Sequence, residues 1–146
     1  MALRRYEDWP KRLDAFLKKA ASLSFVWGVS DCCLVVADGV LEIAGYDIAA
    51  WFRGRYDDAP GALRRLREFG GGALPETMAR IASEATMEEV GARYAQAGDI
   101  VLLPAAPDYE AFGGLLGLSI GQRSMAMGSA GIVLLPTLDA LTAWRV

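Results

Sequence analysis

Apolar residues recur at helical spacing through the first half of the chain and in short alternating or continuous runs through the second. Between residues 9 and 22, Leu13, Phe16, Leu17 and Ala20 follow the i, i+3, i+4, i+7 spacing of one helical face, with Pro10 in the first turn. Lys11, Arg12, Lys18 and Lys19 fall off that face and read as its solvated side. From Asp31 to Ala44 the only polar residues after the start are Asp38 and Glu42, four apart on one stripe. A helix here is apolar nearly all round and must be central to the fold, with Asp31 as N-cap and Gly45 as its stop. Val35, Val36, Gly39 and Val40 are weak helix formers, which leaves a buried strand as the alternative; length and caps favour the helix. Asp58-Ala59-Pro60 opens a third helix through Leu63, Leu66 and Phe69 that ends in Gly70-Gly71-Gly72, and Pro75 begins a fourth through Met78 and Ile81. The grammar then changes to short runs at 90–94, 100–103, 115–120, 124–127 and 132–135, separated by Gly, Pro or Asp, which predict strands of a mostly antiparallel sheet. Helices first and strands later make an α+β fold, expected as a single domain over residues 1–146. The longest late irregular stretch, residues 104–114, is a candidate contact surface.

Composition narrows the chemistry. The chain has 53% apolar residues, 23% charged residues and a net charge of −3, as compact soluble proteins do. Residues 1–69 hold eleven Lys and Arg against ten Asp and Glu, and residues 70–146 hold four against eight, so no nucleic-acid-binding stripe is expected. No apolar run reaches the roughly 18 residues of a membrane span, and the N-terminal Arg4, Arg5, Glu7 and Asp8 do not suit an export signal, which implies a protein made in the cytoplasm. There is no histidine, the side chain whose ordinary pKa best suits proton transfer near neutrality. The two cysteines, Cys32 and Cys33, are neighbours, and two adjacent thiols cannot form a four-ligand zinc site; no metal or other cofactor is expected.

One constellation carries chemistry. Cys32 follows an N-cap at the start of a buried helix, where free N–H groups and the helix dipole favour a thiolate, whereas Cys33, rotated about 100°, is expected to face the interior. The plainer reading of both is as small core hydrophobes. Trp27 and Trp51 likewise read as packing residues, and Arg53, Arg55 and Tyr56, bracketed by Asp57 and Asp58, as a salt-bridged turn. Gly28, just before the cysteine loop, is placed where positive φ would be useful.

The run from Trp27-Gly28 to Asp31-Cys32 resembles the nucleophile segment of the NlpC-type, papain-like cell-wall peptidases. Gly98-Asp99-Ile100-Val101-Leu102 is similar to the Gly-Asp strand opening of that fold, and residues 115–121 to the strand carrying the catalytic histidine. The resemblance implies a papain-like fold, its central buried helix packed on a C-terminal sheet, with Cys32 at the nucleophile position and Leu115 at the position of the missing histidine. Asp31, Asp99, Asp108 and Tyr109 are the polar residues that the motifs place near the nucleophile, and Trp27, Asp31, Asp108 and Tyr109 are the candidate binding residues. A carboxylate of pKa ~4 is a weak base toward a thiol. Acid–base assistance is worth ~10²–10⁴ in rate, so the site as written implies a poor amidase.

The order of Trp-Gly-x-x-Asp-Cys-Cys, Arg53-Gly54-Arg55-Tyr56, the Gly-Ala-Leu-Arg-Arg-Leu helix, the Gly-Asp-Ile-Val-Leu-Leu strand and Ala143-Trp144-Arg145 is also similar to small phage and prophage tail-module proteins. That likeness implies a place in the virion, near the tail tip of a siphophage-like particle or gene transfer agent, with the hub and the large tip protein as partners. Three functions follow as expectations: a tail component that has lost catalysis; a peptidoglycan cysteine peptidase or amidase using Cys32 with a base from another side chain or subunit; and a cytoplasmic binding module with no virion role.

Overall fold

A computed structural model describes residues 3–146. Helix α1 spans Trp9–Ala20 and helix α2 Cys32–Ala44; α3 (Ala59–Gly70) and α4 (Leu74–Ala85) follow as a pair. The strands are β1 (Glu89–Val90), β2 (Ile100–Leu103), β3 (Leu115–Ser119), β4 (Arg123–Gly128), β5 (Gly131–Pro136) and β6 (Thr142–Trp144). They form one antiparallel sheet in the order β1-β6-β2-β3-β4-β5, so the last strand in sequence is inserted between the first and the second. The α+β expectation is met, and among the described residues no helix is long and apolar enough to cross a membrane.

Helix α2 is the central element. Leu34, Val35, Val36, Ala37, Val40 and Ile43 are all buried, and the helix packs on α1 and on β3 and β4. Asp31 caps it by accepting from the N–H groups of Cys33 and Leu34, and Gly45 stops it at φ 66°, so the helix reading of this segment stands and the strand alternative does not. Its exposed stripe is short because Asp38 and Glu42 stand on the same side. Asp58 caps α3 through Gly61 N–H, and Gly71 closes it in the left-handed conformation.

The sheet has two apolar faces. Ile100, Leu102, Leu116, Leu118, Met125 and Met127 point into the main core with α2, while Val101, Leu103, Leu115, Ala126 and Ala143 form a second, smaller core on the other face. Strand alternation sends successive residues of β2 to opposite cores, so its uninterrupted apolar run reflects burial on both sides.

One expectation needs correction. Residues 90–94 are not a strand: only Glu89 and Val90 pair with β6, and Ala92–Tyr94 turn into a 3₁₀ helix once β6 offers no further partner. Strand β6 itself lies in a segment valued above only for its motif, because three residues are too few for alternation to register. The stretch 104–114 contains a 3₁₀ turn, Pro107–Phe112, whose Tyr109 and Phe112 are buried.

Candidate functional site

The chain entering α2 is held by Asp31. Its Oδ1 accepts from Cys33 N–H at 3.0 Å and Leu34 N–H at 2.9 Å, and its Oδ2 accepts from Gly28 N–H at 3.0 Å and from the Tyr56 hydroxyl. Gly28 has φ +80°, and a Cβ there would collide with the Tyr56 carbonyl oxygen, so glycine is required on two counts. Burial raises the Tyr56 pKa above the usual phenol range, and the neighbouring Asp31 carboxylate adds to the effect by favouring the protonated donor. Tyr56 is therefore the residue that ties the 47–56 segment to the cysteine loop. The sequence signal for it was only its place beside Arg53 and Arg55.

Arg53 and Arg55 do not form the turn expected with Asp57 and Asp58. Arg53 pairs with Asp47 at 2.8 Å and with Asp38 at 2.8 Å, and Arg55 lies over the Trp51 ring, 4.6 Å from its centroid. Trp51 packs edge-on against Phe52. Asp38 on α2 supplies a carboxylate that no local pattern could have paired with Arg53.

Cys32 opens α2 and is only 1% exposed. It lies in the second core with Leu103, Leu115, Val101, Ala126 and Ala143, and Phe25 packs against that group. Cys32 and Leu115 thus belong to one apolar group. Cys33 is the less buried of the two, and it too faces inward, packing against the main core. It lines a cavity of about 40 Å³ between α2, α3 and α4, whose wall includes Trp27, Leu34, Phe52, Tyr56 and Thr77. The reason is that both sides of the α2 N-terminus are covered, one by the sheet and the other by α3 and α4. The two sulfurs are 3.8 Å apart, and the hydrogen bond between them, then burial, pushes the Cys33 thiol well up from its usual range.

An aromatic wall closes this region. Phe25 meets Trp27 edge-on at 4.8 Å, Trp27 stacks on Phe112 at 5.7 Å, and Tyr109 lies 6.4 Å from Phe25 and 6.2 Å from Phe112. Trp27 is thereby a packing residue and half-buried. Tyr109, part of this wall, is buried, its pKa raised by burial and then by the proximity of Cys32. Asp108, on the same turn, is exposed. Asp99 is not near the cysteine at all. It is buried at the opposite end of β2, bonded to Arg5 at 2.9 Å, to Val146 N–H at 3.1 Å and to Gln96 N–H at 2.8 Å.

The ligand atoms of Asp31, Cys32 and Cys33 lie within 4.8 Å of one another. Both Asp31 oxygens are already engaged by four donors, so this carboxylate could join a metal only by releasing the helix cap. What the arrangement supports chemically is packing: a thiol in one apolar group with a leucine, with aromatic rings and aliphatic strands around it. Beside it, a depression of about 340 Å³ is lined by Leu103, Pro104, Leu135 and Asp139, and Leu103 is the cross-strand partner of Leu115.

A family model described as Domain of unknown function (DUF6950) matches residues 4–146. No curated protein matches the chain. Among solved structures, the NlpC/p60 domain of peptidoglycan hydrolase SagA superposes with a TM-score of 0.55 at 15% identity, covering 93% of this chain and 97% of that one. At that identity the likeness is one of fold, and the chain has an NlpC/p60-like architecture.

Proposed function

This chain belongs to the DUF6950 family, and from that premise and its site we propose that it is a structural component of a phage-like tail, derived from an NlpC-type cysteine peptidase and without hydrolytic activity. The observation that carries the reading is the surrounding of Cys32: 1% exposed and packed in one apolar group with Leu115, the position to which the resemblance assigns the base. A thiol must reach a substrate carbonyl and hand its proton to a base, and must later have the leaving amine protonated. Here the sulfur has no open approach, Leu115 in the same apolar group cannot accept a proton, and the chain holds no histidine.

The role in a tail is supported by the motif order noted above. The partners proposed are the hub and the large tip protein, with assembly from the host cytoplasm into the virion tail. Incubation with purified peptidoglycan is expected to release no stem-peptide fragments above buffer, with wild type and Cys32→Ala indistinguishable. Release by wild type that Cys32→Ala abolishes would establish the peptidase alternative, including one with a base supplied by a neighbour if release needs the added tail proteins. Co-sedimentation with those proteins is expected, and persistent failure to associate would remove the tail role.

A further inference from the structure

The two edges of the sheet are treated differently. Strand β1 is two residues long and carries Glu89, features that discourage pairing with another chain. Strand β5 is six residues long, Gly-Ile-Val-Leu-Leu-Pro, without a charge. It is the other edge strand, with Val133 at 40% and Leu134 at 49% exposure, and the connection after it exposes Leu138 at 73% and Leu141 at 63%.

The register shows which backbone groups are free. A two-residue loop joins β4 to β5 with Gly128 opposite Gly131, and at the far end Thr137 N–H donates to Gln122 O at 2.9 Å. In an antiparallel ladder the bonded pairs alternate, so Gly131, Val133 and Leu135 turn their amides toward β4. Ile132 and Leu134 turn theirs outward, and Pro136 has no N–H to offer.

We propose that two copies of this chain pair antiparallel through β5, about a two-fold axis at Val133. In that register Ile132 of each copy faces Leu134 of the other, and four N–H···O=C bonds form. Val133 meets its own symmetry mate as a non-bonded pair, and Leu134 packs across from Ile132. A register centred on Leu134 would set Ile132 against Pro136 and lose a donor; one centred on Ile132 would draw the turn residue Ala130 into the ladder. The Val133 axis alone uses every outward group of the strand interior. The occupant is a second copy because the edge is self-complementary: apolar on both faces, with no like charge brought together by the two-fold. A strand pair with these side chains buries less than the ~800 Å² per partner of a standard interface, so the dimer is reversible and concentration-dependent. This inference rests on the sheet and not on the tail assignment.

Sedimentation velocity from roughly 10 μM to 1 mM should show a monomer–dimer equilibrium. Leu134→Pro deletes an outward N–H and leaves the bonds to β4 intact, and Val133→Asp sets two carboxylates across the axis. Both are expected to weaken association at least tenfold while the thermal transition persists. Val133→Cys, whose Cα atoms would stand about 4.5 Å apart, should cross-link to its mate when oxidised glutathione is added, with the 133–133 linkage found by peptide mass mapping. Leu138→Cys, more exposed but off the axis, should cross-link far less. A monomer throughout the concentration range, or Val133→Cys linking no faster than Leu138→Cys, overturns the proposal. Failure of the dimer would leave the peptidoglycan result unaffected.

Discussion

At the scale of single residues, the adjacent cysteines show how neighbours receive different surroundings. Cys32 lies in the apolar group on the sheet's second face, which includes Leu115 and against which Phe25 packs; Cys33 lines the cavity between α2, α3 and α4. Native protein treated with iodoacetamide is therefore expected to be modified slowly at Cys33, with Cys32 protected until the chain unfolds, as read by peptide mass mapping. Faster modification of Cys32 would signal an open nucleophile. The titrating groups here also set a pH dependence. Cys33 and Tyr56 both have folded pKa values raised above their ordinary ones, of about 8.5 and 10. Above those values the folded state keeps protons that the unfolded state releases, so stability is fully present below about pH 8 and falls as pH rises. Urea midpoints should decline from about pH 8.5 upward. Cys33→Ser should remove the earlier part of the decline and Tyr56→Phe the part beyond about pH 10.

At the scale of elements, α2 depends on its cap more than an ordinary helix does, because Asp31 also holds Gly28 and Tyr56. Loss of an N-cap costs about 0.5–2 kcal/mol and each buried donor left unpaired about 1–3 kcal/mol. Asp31→Ala is expected to destabilise the protein by about 3 kcal/mol in urea titration, and Asp31→Asn, which keeps acceptors, by less. A change under 1 kcal/mol for Asp31→Ala would mean that Tyr56 and Gly28 find other partners. Residue patterning disclosed α1 to α4 and four of the strands because each is amphipathic or apolar over enough residues to show a period. The two strands it misjudged, β1 and β6, are two and three residues long and exist only because they pair with each other and with β2.

At the scale of the whole molecule, Arg5 and Val146, 141 residues apart, meet on Asp99. Arg5 donates to Asp99 at 2.9 Å, to Ala97 O at 2.8 Å and to Val146 O at 2.8 Å, and Arg145 Nε lies 3.3 Å from the same carboxylate. Burial lowers the Arg5 pKa, and the charge and hydrogen bond of Asp99 oppose that fall. Removing the acid would leave Arg5 and the Val146 N–H facing a vacated pocket. Asp99→Ala is expected to lose about 3–5 kcal/mol, the usual penalty for breaking a buried pair from one side, with the loss measured by denaturant unfolding. A loss below 1 kcal/mol would show that Arg5 and Val146 are held by packing alone.

What the amino-acid order determined by itself is local or compositional. The central helix with its Asp31 cap and Gly45 stop, the succession of helices then strands, and the lack of any histidine need nothing but neighbours in sequence and their side-chain chemistry. Tertiary structure alone decided which thiol is the more buried, that Asp99 serves Arg5 and Val146 instead of the cysteine, that Tyr56 braces Asp31, and that β5 is left at an edge with two residues' amides free. Each of these turns on groups far apart in the chain being pressed into contact, and a periodic pattern records only which face of an element is apolar, not what that face will meet.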